Sequence, residues 1–365
     1  MSGLTRVFNE DSEQNEMAIA SDEPERLKGV PQIQQPLEVR NSSLTSDALR
    51  RLRRNRAALI GAIIVILNIL VALFASSLAP RSFDDTSLPR SNAAPTWVTK
   101  VFPGMKPREE GGYVKIDNGY WLGADKLGRD LLSRIIYGAR VSIAVAFVGP
   151  LISILVGLFF GLVAGYKGGR VDNILMRFVD IMYAFPTILL IILLMTVFRA
   201  GSDQYEPGTL VHALGKLDAA MGGLLFIFIG IGLTSWMGAA RLVRGQVLSV
   251  RENDYVHAAF ALGAPTRRII LRHVLPNIVG PLIITETLSI PNYIAYEAFL
   301  SFIGLGVNPP TPSWGGMIAE GALVIQTYPN QALFPALALF WLMFAFNFLG
   351  DGLRDALDPT LRGRE

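Results

Sequence analysis

Six apolar runs, each of about 20 residues and separated by polar loops, limit what this chain can become. They span residues 57–79, 141–165, 178–198, 219–240, 278–303 and 331–350. A helix rises about 1.5 Å per residue, so each run is long enough to cross about 30 Å of hydrocarbon. In lipid the backbone must satisfy its own N–H and C=O groups, which leaves helices or closed barrels. Runs this long and continuous predict an all-α membrane protein with six transmembrane helices. Composition agrees, with 51% hydrophobic and 17% charged residues, against about 25% charged in soluble domains. The second and fourth runs are rich in glycine (Gly149, Gly157, Gly161, Gly165; Gly222, Gly223, Gly230, Gly232, Gly238). Small residues let helix backbones approach closely in lipid. Tyr166, Tyr183 and Trp236, near run ends, suit an interfacial aromatic belt.

Basic residues in short loops mark the cytoplasmic side. Loop 166–177 carries Lys167, Arg170 and Arg177, and loop 241–277 carries Arg241, Arg244, Arg251, Arg267, Arg268 and Arg272. The opposite side has Arg199 and Lys216 in loop 199–218 and no Lys or Arg in loop 304–330. Both termini are therefore expected inside and the long connection 80–140 outside. That connection ends in Lys126, Arg129, Arg134 and Arg140, but connections of about 60 residues obey the rule poorly. Residues 1–45 are polar and mixed in charge, so they read as a disordered cytoplasmic tail. Helix is expected from about Ser46 into the cluster Arg50–Arg56. Residues 1–20 have no apolar core, so no cleavable secretory signal is expected.

Several activities find no support. A net charge of +3 makes no case for nucleic acid. With no cysteine there is neither a disulfide nor a thiolate metal site, and His212, His257 and His273 offer little for zinc. No cofactor or metal is expected in this chain. There is no Gly-x-Ser-x-Gly turn, and no histidine within a span to serve a hydrolytic serine. A phosphate-binding Gly-x4-Gly-Lys-Ser/Thr loop is absent. No enzyme activity is expected, and any energy source must lie on another polypeptide.

The polar stretch Tyr255–Asn277, YVHAAFALGAPTRRIILRHVLPN, sits between two apolar runs. Asn253 or Asp254 is placed to cap a helix with its side chain. Tyr255, Ala258, Ala259 and Leu262 then share one helix face. Gly263 suits the left-handed position that ends such a helix. Pro265 opens a second helix, Thr266–Val274, and Pro276 is expected to end it before the fifth span. The result is a helix–turn–helix within loop 241–277, offering a small-residue face to a partner's groove. An ordinary amphipathic surface helix is the other reading.

This stretch resembles the EAA loop of ABC-importer permeases, written roughly E-A-A-x3-G-x9-I-x-L-P. Ala258, Ala259, Gly263, Leu275 and Pro276 match, while His257 stands where Glu is usual and His273 where Ile is usual. Four further stretches strengthen the likeness: Leu122–Ser142, Arg177–Leu194, Glu297–Gly321 and Gly350–Arg362. Together they are similar to the C-type permease subunit of the oligopeptide/dipeptide/nickel importers, over about residues 46–362. The resemblance implies a type I importer fold in a bacterial or archaeal plasma membrane. It implies four partners: a homologous second permease, two P-loop ATPases carrying ATP and Mg, and an extracytoplasmic substrate-binding protein. The pore would lie between the two permeases. The ATPase-docking residues would be Tyr255, His257, Ala258, Ala259, Leu262, Gly263, Ala264 and Arg267.

Single polar residues in the spans carry further expectations. Glu286 is either pore-facing or a structural hydrogen-bond partner, since an intramembrane carboxylate needs protein or water around it. Asn292 and Glu297 are further candidates for the pore lining; Glu297 also suits bonding to backbone where its helix ends. Asp180, three residues from Arg177, is expected to form a local ion pair with it or to stand as an interfacial carboxylate, and Asn68 to bond across helices. Gly128, Arg129 and Asp130 are expected to build an outer cap. An ion-coupled secondary transporter is the alternative; it would transport alone and often shows inverted repeats, which are not seen here. A purely structural membrane scaffold is a further reading.

Overall fold

The computed structural model describes residues 50–198 and 209–357. The expected tail at 1–45, Arg199 and the last residues of the Gly350–Arg362 stretch lie outside them. All regular structure among the described residues is helical, apart from three isolated β-bridges. The elements that build the bundle and its two ends are α1 (Arg56–Leu73), α2 (Leu131–Lys167), α3 (Gly169–Ala184), α4 (Thr187–Phe198), α5 (Leu225–Arg251), α6 (Asp254–Ala261), α7 (Leu275–Phe302), α8 (Trp314–Ala322) and α9 (Asn330–Leu357); a further helix, Leu210–Ala220, precedes α5. Among the described residues, five helices are long and apolar enough to cross a membrane, or six if the pair α3 and α4 counts as one span.

That pair contains the third apolar run, 178–198, but its helix begins at Gly169, within the expected loop 166–177, and the pair is bent by 78°. Pro186 has no N–H, and its ring pushes the preceding residue out of helical geometry. Phe185 accordingly adopts φ −80° and ψ 128°. Asp180 pairs not with Arg177 but with Arg241 of α5, at 2.6 Å. The same guanidinium lies over the Tyr183 ring. Asn68 does not bond across helices; its amide donates to the Ile64 carbonyl of its own helix at 2.9 Å. Trp236 packs inside the protein. It is buried, 4.5 Å from the Phe160 ring.

α2 and α5 run side by side in the same direction, and glycine is the reason they fit. A Cβ placed on Gly157 would lie 2.5 Å from the Ala239 Cβ; on Gly161, 2.5 Å from the Val243 Cβ; on Gly165, 2.8 Å from the Val247 Cβ. The i, i+4 spacing makes this a groove along one face of α2 into which α5 settles. Ion pairing closes the same end. Arg244 holds Asp172 of α3 through two bonds of 2.6 Å, and Arg251 reaches the Gly165 and Tyr166 carbonyls.

The opposite end is closed by residues 80–130 and α8. Asp130 caps α2 by accepting from the Ser133 N–H at 2.8 Å. Asp125 accepts from Arg129 at 2.6 Å and Arg134 at 3.0 Å, and Glu320 of α8 lies 3.2 Å from Arg129. Trp314 of α8 is buried and donates to the Ile135 carbonyl. The chain between the spans is thus a folded cap.

Candidate functional site

α5 extends beyond the last small-residue contact and hands over to α6 through Glu252 and Asn253. Asn253 sits at the N-cap in extended backbone, but its side chain makes no capping bond. Its carbonyl instead accepts from the Val256 and His257 N–H groups at 2.9 and 3.2 Å. Asp254 occupies the first helical position rather than the cap. Its charge there still favours the helix through the dipole.

α6 ends as a Schellman motif. Gly263 has φ +76°; its N–H donates to Phe260 O at 2.9 Å, and the Ala264 N–H donates to Ala259 O at 3.1 Å. This is the 5→2 and 6→1 pair that closes a helix on a left-handed residue. A Cβ on Gly263 would meet nothing within 4 Å. Backbone conformation, not space, requires glycine.

The chain then turns back through Pro265. The second helix begins at Thr266 as expected, but Pro276 does not end it. Thr266–Ile269 is α-helical, Ile270–Val274 forms a π-turn, and helix continues through Leu275 to Phe302. The Leu275 N–H reaches Ile270 O, five residues back. A proline ring clashes with the carbonyl four residues before it, and a widened turn just ahead relieves that clash.

The expected docking face is split. Val256, Ile269 and Val274 are buried and join Val243, Val247, Ile278 and Leu282 in one apolar cluster. Ala259 and Ala264 are half-buried against that cluster. They seat the segment rather than face outward, because Val256 and Ala259 lie three residues apart on the same side of α6. Tyr255, His257, Ala258, Leu262, Gly263 and Arg267 remain exposed. Leu262 is 88% exposed and Phe260 72%. Phe260 is not among the expected docking residues, because it lies off the small-residue stripe that marks that face in the sequence.

Side-chain contacts of Tyr255 and Glu252 help to fix the segment on the bundle. The Tyr255 hydroxyl accepts from Asn277 Nδ2 at 3.3 Å and from Asn253 Nδ2 at 3.4 Å. Its ring lies 6.1 Å from that of His273. Arg251 bonds Glu252 at 3.1 Å, and Glu252 lies 3.9 Å from His257 Nε2. The last pair is well exposed and contributes little stability by itself.

The intramembrane candidates divide sharply by environment. Glu286 is 3% exposed; its Oε1 accepts from Ser153 Oγ of α2 at 2.8 Å and its Oε2 from the Tyr293 hydroxyl at 2.9 Å. Glu297 is fully buried, with Ser301 Oγ donating to its Oε1 at 2.7 Å. Neither carboxylate reaches a surface of this chain. Asn292 is exposed on α7. It shares a face with Thr285, Ser289 and Tyr296, spaced i, i+4, i+7 and i+11. Thr285 and Ser289 return their hydroxyls to backbone carbonyls four residues earlier. That leaves a mildly polar stripe on an apolar helix. Of this stripe only Asn292 is legible as polar in the sequence, because serine and threonine can satisfy their hydroxyls within an apolar helix. No cluster of three metal-ligating side chains occurs among the described residues.

Comparison with known proteins gives the family. Residues 157–363 match the family of binding-protein-dependent transport system inner membrane components. Residues 43–95 match the N-terminal transmembrane domain of oligopeptide transport permease C. The oligopeptide transport system permease protein OppC of Bacillus subtilis is 38% identical over 320 residues, 88% of this chain and 91% of the relative. The dipeptide transport system permease protein DppC of the same organism is 39% identical over 321 residues, 88% and 87% of the two chains. OppC of Haemophilus influenzae is 37% identical over 326 residues, 89% and 92%. Among solved structures, a chain of the inward-facing MetNI methionine ABC transporter aligns with a TM-score of 0.48 at 16% identity, covering 62% of this chain and 98% of that one. On the sequence matches, this chain belongs to the binding-protein-dependent inner membrane permeases, a multi-pass, all-α subunit of the ABC-importer type alongside the oligopeptide and dipeptide permease C proteins.

Proposed function

We propose that this chain forms one half of a peptide import pathway and is driven through its exposed α6 segment by a separate ATPase. The observation that carries the proposal is the construction of that segment. Its inner face is locked into the bundle by Val256, Ile269 and Val274, while Phe260, Leu262 and Tyr255 stand in the open. A lever needs both properties, a rigid root and a free face. α6 joins the continuous helix Thr266 to Phe302 through the Gly263–Pro265 turn, so displacement of the segment passes through that turn into α7. α7 carries the Thr285–Asn292–Tyr296 stripe, which on this reading lines the pathway together with the second permease.

In this reading 46–362 is the permease domain, loop 241–277 and both termini face the cytoplasm, and the 80–140 cap faces outward. The chain itself performs no chemical step. ATP and Mg reside on two P-loop ATPases, and a substrate-binding protein delivers peptide at the capped end. Docking rests on Tyr255, His257, Ala258, Leu262, Gly263 and Arg267, with Phe260 added and with Ala259 and Ala264 holding the segment from beneath. His257 replaces the usual acid of the loop, and Glu252 keeps a carboxylate 3.9 Å away.

The test is reconstitution. Labelled di- to pentapeptides should enter vesicles only when this chain, its second permease, the ATPases and ATP are all present. Uptake by this chain alone down an ion gradient would instead establish the secondary-transporter alternative. A cysteine at Arg267 should react with membrane-impermeant reagent only from the cytoplasmic side.

Glu286 is assigned a structural role, joining α2 to α7. Glu286→Ala should lower thermal stability by about 1–3 kcal/mol, the range for leaving buried partners unsatisfied. The peptide KM of the folded fraction should not change. A raised KM with unaltered stability would place the carboxylate on the pathway.

A further inference from the structure

At the capped end, a groove of about 580 Å3 opens on the surface between α1 and α2. Its walls are apolar: Ile69, Ala72 and Leu73 from α1, Ile143, Ala144 and Phe147 from α2. The exception is Arg140, whose side chain is exposed. Its Nε donates to the Ala72 carbonyl at 2.8 Å, and its guanidinium lies 4.9 Å from the centre of the Tyr137 ring. No carboxylate lies within ion-pair distance of it among the described residues. The cation is held in place, yet its terminal nitrogens have no anionic partner.

Its depth is telling. Arg140 heads a line of exposed residues down α2: Phe147, Leu151, Leu155 and Phe159, each more than half exposed. From Arg140 to Phe159 the helix rises about 28 Å, close to the thickness of the hydrocarbon core. From Arg140 to Lys167 it rises about 40 Å, close to a bilayer with its headgroups. Arg140 therefore stands where hydrocarbon gives way to phosphate. A planar guanidinium suits a phosphate bidentately, and the groove below it suits an acyl chain.

We propose that this groove binds one anionic glycerophospholipid of the leaflet opposite the docking segment, its phosphate on Arg140 and an acyl chain against Leu73 and Phe147. The competing occupant is an apolar helix of the second permease. Packing such a helix here would strip water and lipid phosphate from an unpaired guanidinium, which is strongly unfavourable. On the orientation proposed above, the leaflet is the outer one, but the site does not depend on that assignment.

Native mass spectrometry of the transporter purified with its companion subunits tests the idea, with phosphatidylglycerol and phosphatidylcholine as probes. The wild-type complex should retain phosphatidylglycerol preferentially. Arg140→Gln should weaken retention about tenfold, as expected for loss of a charge-assisted bond. Ala144→Trp, which fills the groove but keeps the cation, should weaken it too. Retention of phosphatidylglycerol by both variants at the wild-type level overturns the proposal. So does displacement of the lipid by inorganic phosphate, which would mean that the headgroup alone is read. The chain has no native cysteine, so Ala144→Cys gives a single reporter. Efficient cross-linking of that cysteine to the second permease would show a protein interface and also overturn the lipid site.

Discussion

Gly263→Val is expected to leave membrane insertion and yield unchanged while weakening ATPase association about tenfold. The residue has φ +76°, and a β-branched side chain is disfavoured there by about 1–2 kcal/mol, near the tenfold mark. Nothing lies within 4 Å of the missing Cβ, so the substitution creates no clash in the bundle. The strain is relieved locally, by unwinding the last turn of α6 and shifting Leu262 and Phe260. Buried Val256 and Ile269 keep the segment rooted. Gly263→Asn should recover much of the loss, since asparagine tolerates the left-handed region. The measurements are ATPase co-purification and peptide-stimulated ATP hydrolysis. Full activity of the valine variant would remove α6 from the docking surface.

The parts legible in the sequence were those governed by one local rule each. Span length and hydropathy gave the helices, and the Gly263 turn was plain from a glycine following an alanine-rich helix. What escaped notice depended on partners distant in sequence. Val256 and Ile269 look like stray apolar residues in a polar loop, but they complete a cluster with Val243 and Leu282. Asp180 looks paired with Arg177 one turn back, yet the 78° bend after α3 accompanies a pairing with Arg241 instead. Pro276 carries a strong stop signal, and only the π-turn ahead of it shows how the helix passes through. The intramembrane carboxylates posed the same difficulty. Glu286 meets Ser153 across more than a hundred residues of chain, a contact that no periodicity reveals.

Gly161→Leu is expected to have the most severe consequence for the fold. Its Cβ would fall 2.5 Å from the Val243 Cβ and 2.7 Å from the Ala240 carbonyl oxygen, the latter backbone that cannot rotate away. The rest of the leucine side chain would have to push α5 off α2 along their whole shared face. Overpacking typically costs about 1–3 kcal/mol, and a rigid backbone neighbour puts this site at or beyond the upper end. α5 also carries Arg244 and Arg251, whose bonds to Asp172, Gly165 and Tyr166 close the same end of the bundle. Separating the helices therefore breaks those ties and tilts the root of α6. Gly245→Leu is the matched control, because a Cβ there meets nothing within 4 Å. In a detergent-solubilised thermal-stability assay the Gly161 variant should aggregate or melt far below wild type, with no measurable uptake. The Gly245 variant should melt near wild type. Equal melting of the two would mean that α2 and α5 are not held by the glycine face, and α6 would then lack the rigid root that the lever mechanism needs.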